Sequence, residues 1–228
     1  MAWLFGFPAS DALQADYEQL TAAYAGGQLP STPMAPVFID FAQRYADEIL
    51  DALILNLVRG ADPDSAAPKT LESAVSLIKS TAHALIRQAL AKRSNRELAS
   101  VAEFMRTRRV RLPHQGELRD FISFPISTAD HALLAGAWGA AAEGQRDIPA
   151  MTQATLRLID LGMQAFYQDT GDAIELGFVA RKMFNMGHVA IQKALNLAAG
   201  RLVPALKPRE LRDFSAYFLS MLQAAPTD

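Results

Sequence analysis

Two histidines and two aspartates are the residues whose types and spacing could do chemistry. His83 and His188 are each followed by similarly spaced apolar residues, and Asp40 and Asp160 lie in two similar short apolar stretches. An aspartate can orient an imidazole and raise its basicity, so each Asp–His pair is a candidate general base or metal ligand. A histidine at the edge of an apolar helix stripe is more often structural, and we favour that interpretation.

A second candidate is a polar row on the helix predicted over 172–199. Arg181, Asn185, His188 and Gln192 recur every three or four residues, which places them on one helix face. Amide side chains orient small polar molecules in binding clefts, so Arg181, Asn185 and Gln192 join the two Asp–His pairs as candidate ligand-binding residues. An ordinary solvent-facing row is the alternative.

A third candidate is a basic stretch from Arg87 to Arg111, with eight basic residues and two acidic ones. Such a patch could bind phosphates of nucleic acid or of a membrane surface. Several of its arginines project around much of the predicted helix, so a solvated face, or pairing with the acidic first 43 residues, is favoured over nucleic-acid binding. The candidate anion-binding residues are Arg106, Arg108, Arg109 and Arg111.

Motifs of the common enzyme classes are absent from the sequence. Without cysteine there is no thiolate zinc site, iron–sulfur cluster or cysteine nucleophile. The sequence also lacks a His-Glu-x-x-His motif, a phosphate-binding glycine loop, a Gly-x-Ser-x-Gly elbow and the Glu-x-x-His spacing of di-iron bundles. We therefore predict no catalytic residue, no metal site and no cofactor.

Targeting signals are also absent from the sequence. No run of about 20 residues is apolar enough to span a bilayer. The segment 1–8 is apolar but has no basic residue, unlike a signal peptide. A cytoplasmic location without a transmembrane segment is the expectation.

Apolar residues recur at three- and four-residue spacing along nearly the whole chain, which predicts an all-α fold of about eight main helices. Ser94 and Glu97 predict a capping box at the start of one of them. Trp138 is predicted to anchor the core. The predicted helices cover 10–25, 36–60, 69–93, 94–111, 128–142, 149–168, 172–199 and 208–223, with a short one over 116–121.

Two halves of the sequence resemble each other in the same order along the chain. Phe7-Pro8-Ala9-Ser10 matches Phe124-Pro125-Ile126-Ser127, and Arg96-Glu97-Leu98 matches Arg209-Glu210-Leu211. His83 matches His188 and Asp40 matches Asp160. These matches predict two pseudo-symmetric four-helix repeats, 1–113 and 114–228, that share one core in a bundle-like domain.

The sequence supports binding better than catalysis. The leading hypothesis is a non-catalytic helical module that acts through a protein partner or as a homo-oligomer. The alternative is a carrier or sensor of a small apolar ligand, held between the halves and accommodated by eight methionines and twelve phenylalanines. A motif-poor enzyme that uses the Asp–His pairs is a third possibility.

Overall fold

The computed structural model describes residues 2–55, 66–174, 176 and 178–226. Helices dominate it, which confirms a mostly helical chain, and none in the described part is long and apolar enough to cross a bilayer. The predicted helix end near residue 60 lies outside the described residues. The α-helices are α1 (Asp11–Ala23), α2 (Ala35–Leu50), α3 (Ala66–Leu90), α4 (Asn95–Arg108), α5 (Thr128–Ala142), α6 (Ile148–Gly162), α7 (Asp169–Ala173), α8 (Phe178–Ala205) and α9 (Pro208–Leu219).

The prediction of an all-α fold is wrong, because four segments form an antiparallel sheet. The strands are β1 (Trp3–Pro8), β2 (Val110–His114), β3 (Glu117–Ile126) and β4 (Leu222–Ala224), in the spatial order β2-β3-β1-β4. The short helix predicted over 116–121 is mostly part of β3.

The periodicity of the sequence does not reveal these strands, because apolar side chains cover both faces of the sheet. Five consecutive residues of β3, 120–124, are buried, as are four of β1, 4–7. One face packs into the main core, and the other carries a smaller apolar cluster of Leu4, Leu112 and Phe121. A strand buried on both faces gives a continuous apolar run, which period-two alternation does not detect.

The helix starts follow local capping chemistry. The side chain of Ser94 accepts from the Glu97 amide while Glu97 accepts from the Ser94 amide, so the predicted capping box is confirmed. Ser10 and Ser127 cap α1 and α5 in the same way, each accepting from an amide three residues on. These caps fix where the helices leave the sheet.

Two helices end in wider turns that the sequence did not predict. Residues Asp51–Leu55 after α2 and Met163–Gln168 after α6 form π-helical segments. A π-helical turn holds an extra residue and is often found at functional sites. The helix predicted over 172–199 is replaced by short α7 and by α8, which begins at Phe178 and continues to Ala205.

The main core lies between the sheet and the helices. Trp138 is fully buried there, as predicted, and stacks on Phe218 with 5.1 Å between ring centroids. Phe5 of β1 contacts both rings at 6.3 Å. The aromatic cluster thereby fastens the sheet to α5 and α9.

Gly6 is expected to be intolerant of a side chain, because β1 and β3 approach closely at this residue. It lies opposite Ser123, and an added Cβ would be 2.5 Å from the Ser123 Cβ and 2.8 Å from the Ile122 carbonyl oxygen. We expect Gly6→Ala to lower the free energy of unfolding by about 1–3 kcal/mol, measured by chemical denaturation.

The control for this substitution is Gly136→Ala, within α5. Nothing lies within 4 Å of a Cβ built at Gly136. Alanine stabilises an exposed helix interior by up to about 1 kcal/mol relative to glycine. Equal effects of the two substitutions would contradict a close approach of the strands at Gly6.

Candidate ligand cavity

An apolar cavity of about 260 Å³ lies between α2, α3, α6 and α8. Each of these helices turns one apolar face towards it, because the lining residues recur at three- and four-residue spacing. On α2 these residues are Phe38, Phe41, Ala42, Tyr45, Ala46, Ile49 and Leu50, and on α8 they are Phe184, Ile191, Leu195, Ala198, Ala199 and Leu202.

Both π-helical segments contribute to the cavity wall. Leu53 and Ile54 come from the first, and Met163, Phe166 and Tyr167 come from the second. The extra residue of a π-helical turn rotates the following side chains relative to a regular helix. The two segments thus extend the apolar lining beyond the ends of α2 and α6.

Close packing of α8 against α7 and the second π-helical segment closes one part of the wall. The ring of Phe184 lies where a Cβ on Gly171 would be, 2.2 Å from its nearest ring atom. The Tyr167 hydroxyl lies 2.7 Å from a Cβ built on Gly187. Glycines at these two positions therefore make room for the two aromatic side chains, whose ring centroids are 4.2 Å apart.

The few polar side chains in the lining are largely satisfied within the protein. Thr155 donates its hydroxyl to the carbonyl of Met151 at 2.9 Å, and Tyr167 donates to the carbonyl of Phe184 at 2.9 Å. Tyr45 and Thr170 also line the cavity. Among the described hydrogen bonds none involves the Tyr45 hydroxyl, which leaves it able to bind a polar atom of a ligand.

The titratable groups of the described lining are the two tyrosines, and both are held neutral. Burial raises the pKa of Tyr45 well above its usual range. Burial likewise raises the pKa of Tyr167 to about 12. Neither phenol ionises near neutral pH, so neither supplies a base or a charge to a bound molecule.

The structure places His83 beside Asp47, outside this cavity. The imidazole Nε2 lies 2.9 Å from the Asp47 carboxylate, and Lys79 lies between Asp47 and Asp51 at 3.8 and 2.7 Å. Asp40 is exposed and precedes Asp47 on α2 by seven residues, about 10 Å along the helix axis. His83 therefore pairs with Asp47 and not with the predicted Asp40.

The second predicted pair also has other partners. His188 Nε2 lies 2.9 Å from the Gln168 amide nitrogen, and Asp160 accepts a hydrogen bond of 2.8 Å from Gln192. Arg181 pairs with Asp172 at 2.7 Å, and Asn185 is exposed. These residues join neighbouring helices, and none belongs to the described lining of the cavity.

The predicted anion-binding arginines all have carboxylate partners. Arg109 binds Asp120 with two hydrogen bonds of 2.7 Å, and Arg111 binds the same carboxylate at 3.1 Å. Arg111 also lies 3.4 Å from Glu18, one of the acidic residues of the first 43. Arg106 pairs with Glu103 and Arg108 with Asp169, both at 2.6 Å.

Asp120 is the centre of this arginine cluster. Its side chain is 4% exposed. Burial by itself raises the pKa of this carboxyl, but hydrogen bonds from Arg109 and Arg111 outweigh burial and the pKa is lowered overall. The cluster ties the sheet to α1 and α4.

In the described part of the chain, no three His, Asp or Glu side chains form a group that could hold a metal ion.

The sequence pattern does not mark the cavity-lining residues as a site. In the sequence these residues form apolar helix stripes, and such a stripe is the same whether the facing helices touch or leave a space between them. The chain matches no family model, no curated protein and no solved structure. The case for a function accordingly depends on the site's own geometry.

Proposed function

We propose that this protein is a non-catalytic carrier or sensor that binds a small apolar ligand in the cavity. The observation that carries the proposal is a space of about 260 Å³ lined almost entirely by hydrocarbon side chains. Binding pockets for small molecules are mostly apolar with a few placed polar groups, and this lining fits that description. Association with a protein partner or a second copy of the chain stays a prediction.

The energetic cost of an empty cavity supports a bound ligand. Side chains that line an unfilled apolar space lack part of the dispersion contact of a packed core, and this loss destabilises the fold in proportion to the volume left empty. A ligand that fills the space recovers dispersion contacts that the lining otherwise lacks.

The lining also restricts the chemistry of the ligand. An apolar cavity of about 150 Å³ accommodates benzene, so this one fits roughly ten carbon atoms on the same scale. A charged group would be buried without a partner, which is strongly unfavourable. We expect an uncharged, mainly hydrocarbon ligand, with at most one small polar group near Tyr45.

We further propose that the cavity lies between two pseudo-symmetric repeats, 1–113 and 114–228. The register of β1 and β3 supports this arrangement. If Phe7-Pro8 corresponds to Phe124-Pro125, then Gly6 corresponds to Ser123, and these two residues face each other. Equivalent residues of an antiparallel pair meet only at a two-fold axis, so the axis would pass between them.

The outer strands support the same correspondence. Leu4 of β1 faces Gln223, and its counterpart Phe121 of β3 faces Val110. Continuing the match between the last helices of the halves makes Val110 correspond to Gln223. Each repeat would then run strand, two helices, π-helical segment, long helix, helix, strand.

This correspondence changes which aspartates are equivalent. α2 and α6 are each followed by a π-helical segment, and aligning the first residues of the two helices, Ala35 and Ile148, pairs Asp47 with Asp160. Asp47 binds His83 of α3, and Asp160 binds Gln192 of α8. We infer that these carboxylates fasten the long helix of each repeat and thereby hold the cavity walls.

Titration with a neutral fluorescent hydrocarbon probe tests the proposed function. The protein is stripped of bound apolar molecules and titrated with naphthalene, a fluorescent hydrocarbon of ten carbon atoms. We expect one probe per chain and, at a hundredfold excess over Kd, about 2.7 kcal/mol of stabilisation. For a chain of this length that corresponds to a rise in Tm of roughly 5–10 °C.

Native mass spectrometry of freshly purified protein provides the complementary measurement. A bound mass that a hydrocarbon solvent extracts would support the proposal. Absence of any bound mass, together with no probe binding after extraction, would overturn it.

A further inference from the structure

The outward side of α8 combines exposed apolar residues with positive charge. Helix α8 contains Arg181, Lys182, Lys193 and Arg201 but no aspartate or glutamate. Its inner side lines the cavity through residues such as Ile191 and Leu195. The outer side therefore has to be explained separately from ligand binding.

Four large apolar side chains of α8 face outward. Phe178 is 85% exposed, Met186 and Val189 are each 65% exposed, and Leu197 is 54% exposed. At 3.6 residues per turn they fall within an arc of about 100° around the helix. A cluster of exposed apolar side chains marks an interaction surface. We call this surface, with the lysines between its apolar residues, the α8 outer face: Phe178, Lys182, Met186, Val189, Lys193 and Leu197.

Lys182 and Lys193 lie in the middle of the same arc. Both are exposed, and neither forms an ion pair with any described residue. Arg201 is exposed near the end of the helix, whereas Arg181 is already paired with Asp172. The α8 outer face thus offers unneutralised positive charge among its apolar side chains.

We propose that the α8 outer face docks on an anionic lipid bilayer surface. A helix in the membrane interface inserts its apolar side chains among the acyl chains and places lysines near anionic headgroups. The flexible side chains of Lys182 and Lys193 let their ammonium groups extend from an inserted helix to the lipid headgroups. An anionic bilayer binds protein faces that present apolar and cationic groups side by side.

The same charges argue against a second copy of the chain as the occupant. A two-fold dimer through this face would bury Lys182 and Lys193 against the same basic face of the other copy. Lysine is depleted from the cores of protein interfaces, and like charges there repel. An anionic bilayer removes the repulsion and satisfies both lysines.

Flotation with lipid vesicles tests this proposal without any requirement for a bound cavity ligand. The full chain is mixed with phosphatidylcholine vesicles that contain or lack phosphatidylglycerol. We expect binding to the anionic vesicles, weakened by salt, and little to the neutral ones. Replacing both lysines, Lys182→Gln with Lys193→Gln, is expected to reduce partitioning about thirtyfold.

A matched control removes two cations elsewhere. Arg146→Gln with Arg209→Gln makes the same change in net charge at exposed positions outside α8, and should leave partitioning within about twofold of the original because screening weakens distant charges. Phe178→Ser with Val189→Ser should also abolish binding if apolar insertion is required.

Any of three vesicle results would overturn membrane docking by this face. They are equal binding to neutral and anionic vesicles, a loss of binding in the control equal to that in the lysine variant, and no binding to either vesicle. Light scattering that detects a dimer dissociated by Phe178→Ser would also overturn it and identify a second copy as the occupant. If vesicle binding is absent while probe binding in the cavity persists, membrane docking is overturned and the proposed function is unaffected.

Discussion

Replacement of Ala198 by phenylalanine is expected to abolish ligand binding and to raise stability at the same time. Ala198 lines the cavity from α8, so a phenyl ring there would occupy much of the roughly 260 Å³. Displacing about six carbon atoms of ligand, at about 0.8 kcal/mol each, weakens binding by roughly three-thousandfold. Titration with naphthalene measures this loss.

The change in stability distinguishes a cavity from a packed core. In a real space the ring gains buried apolar contact of about 1.5–3 kcal/mol, and Tm rises. In an already filled core the same substitution costs about 1–3 kcal/mol. Ala82→Leu on the facing helix α3 is a smaller test of the same kind, and Ala132→Phe at an exposed position of α5 is the control. Unchanged probe binding in both cavity variants would contradict the site.

Removal of the Asp120 carboxylate is expected to cause the largest loss of stability. This side chain is 4% exposed and binds Arg109 through two hydrogen bonds and Arg111 through a third. Asp120→Ala leaves the mostly buried Arg109 guanidinium with only the exposed Glu18, 3.7 Å away, as an ionic partner. Breaking a buried pair in this way costs about 3–5 kcal/mol, which urea denaturation measures.

The pH dependence provides a second readout of the same carboxylate. Because the pKa of Asp120 is lowered in the folded protein, its stabilisation is complete above the ordinary carboxyl pKa of about 3.9 and disappears as the pH falls through the lower folded value. We expect the stability curves of the original protein and Asp120→Asn to converge in acid. Asp213→Ala, at an exposed pair 3.9 Å from Arg209, should cost under about 1 kcal/mol. Similar losses for Asp120→Ala and Asp213→Ala would contradict the cluster's role.

Prediction from the sequence succeeded where structure depends on neighbouring residues. The capping box of Ser94 and Glu97 involves contacts three residues apart, and the helix stripes record burial of one helix face. The burial of Trp138 was also foreseeable, because a large apolar residue among small ones packs inward. Such signals are local, so one sequence was enough to find them.

The sheet and the partners of the charged residues were not predictable in the same way. β1 and β3 come from distant parts of the chain, and their apolar runs are equally compatible with a short buried helix. Asp120 binds Arg109 and Arg111, and His83 binds Asp47 rather than Asp40, only because the fold brings these elements together. The sequence left the basic stretch as either a solvated or acid-paired face or an anion site, and only the fold shows that Arg106, Arg108, Arg109 and Arg111 each have a carboxylate partner.

The sequence by itself determined the mostly helical character of this protein, and its local patterns indicated the capping box of Ser94 and Glu97 and the presence of apolar helix faces. The tertiary structure alone decided that the facing apolar sides of α2, α3, α6 and α8 leave a space, and that α8 also exposes apolar residues outward. Periodicity reports which side chains avoid water, because that property is encoded residue by residue. It does not report how far apart two apolar faces lie, which depends on helix positions, glycine contacts and π-helical turns throughout the fold.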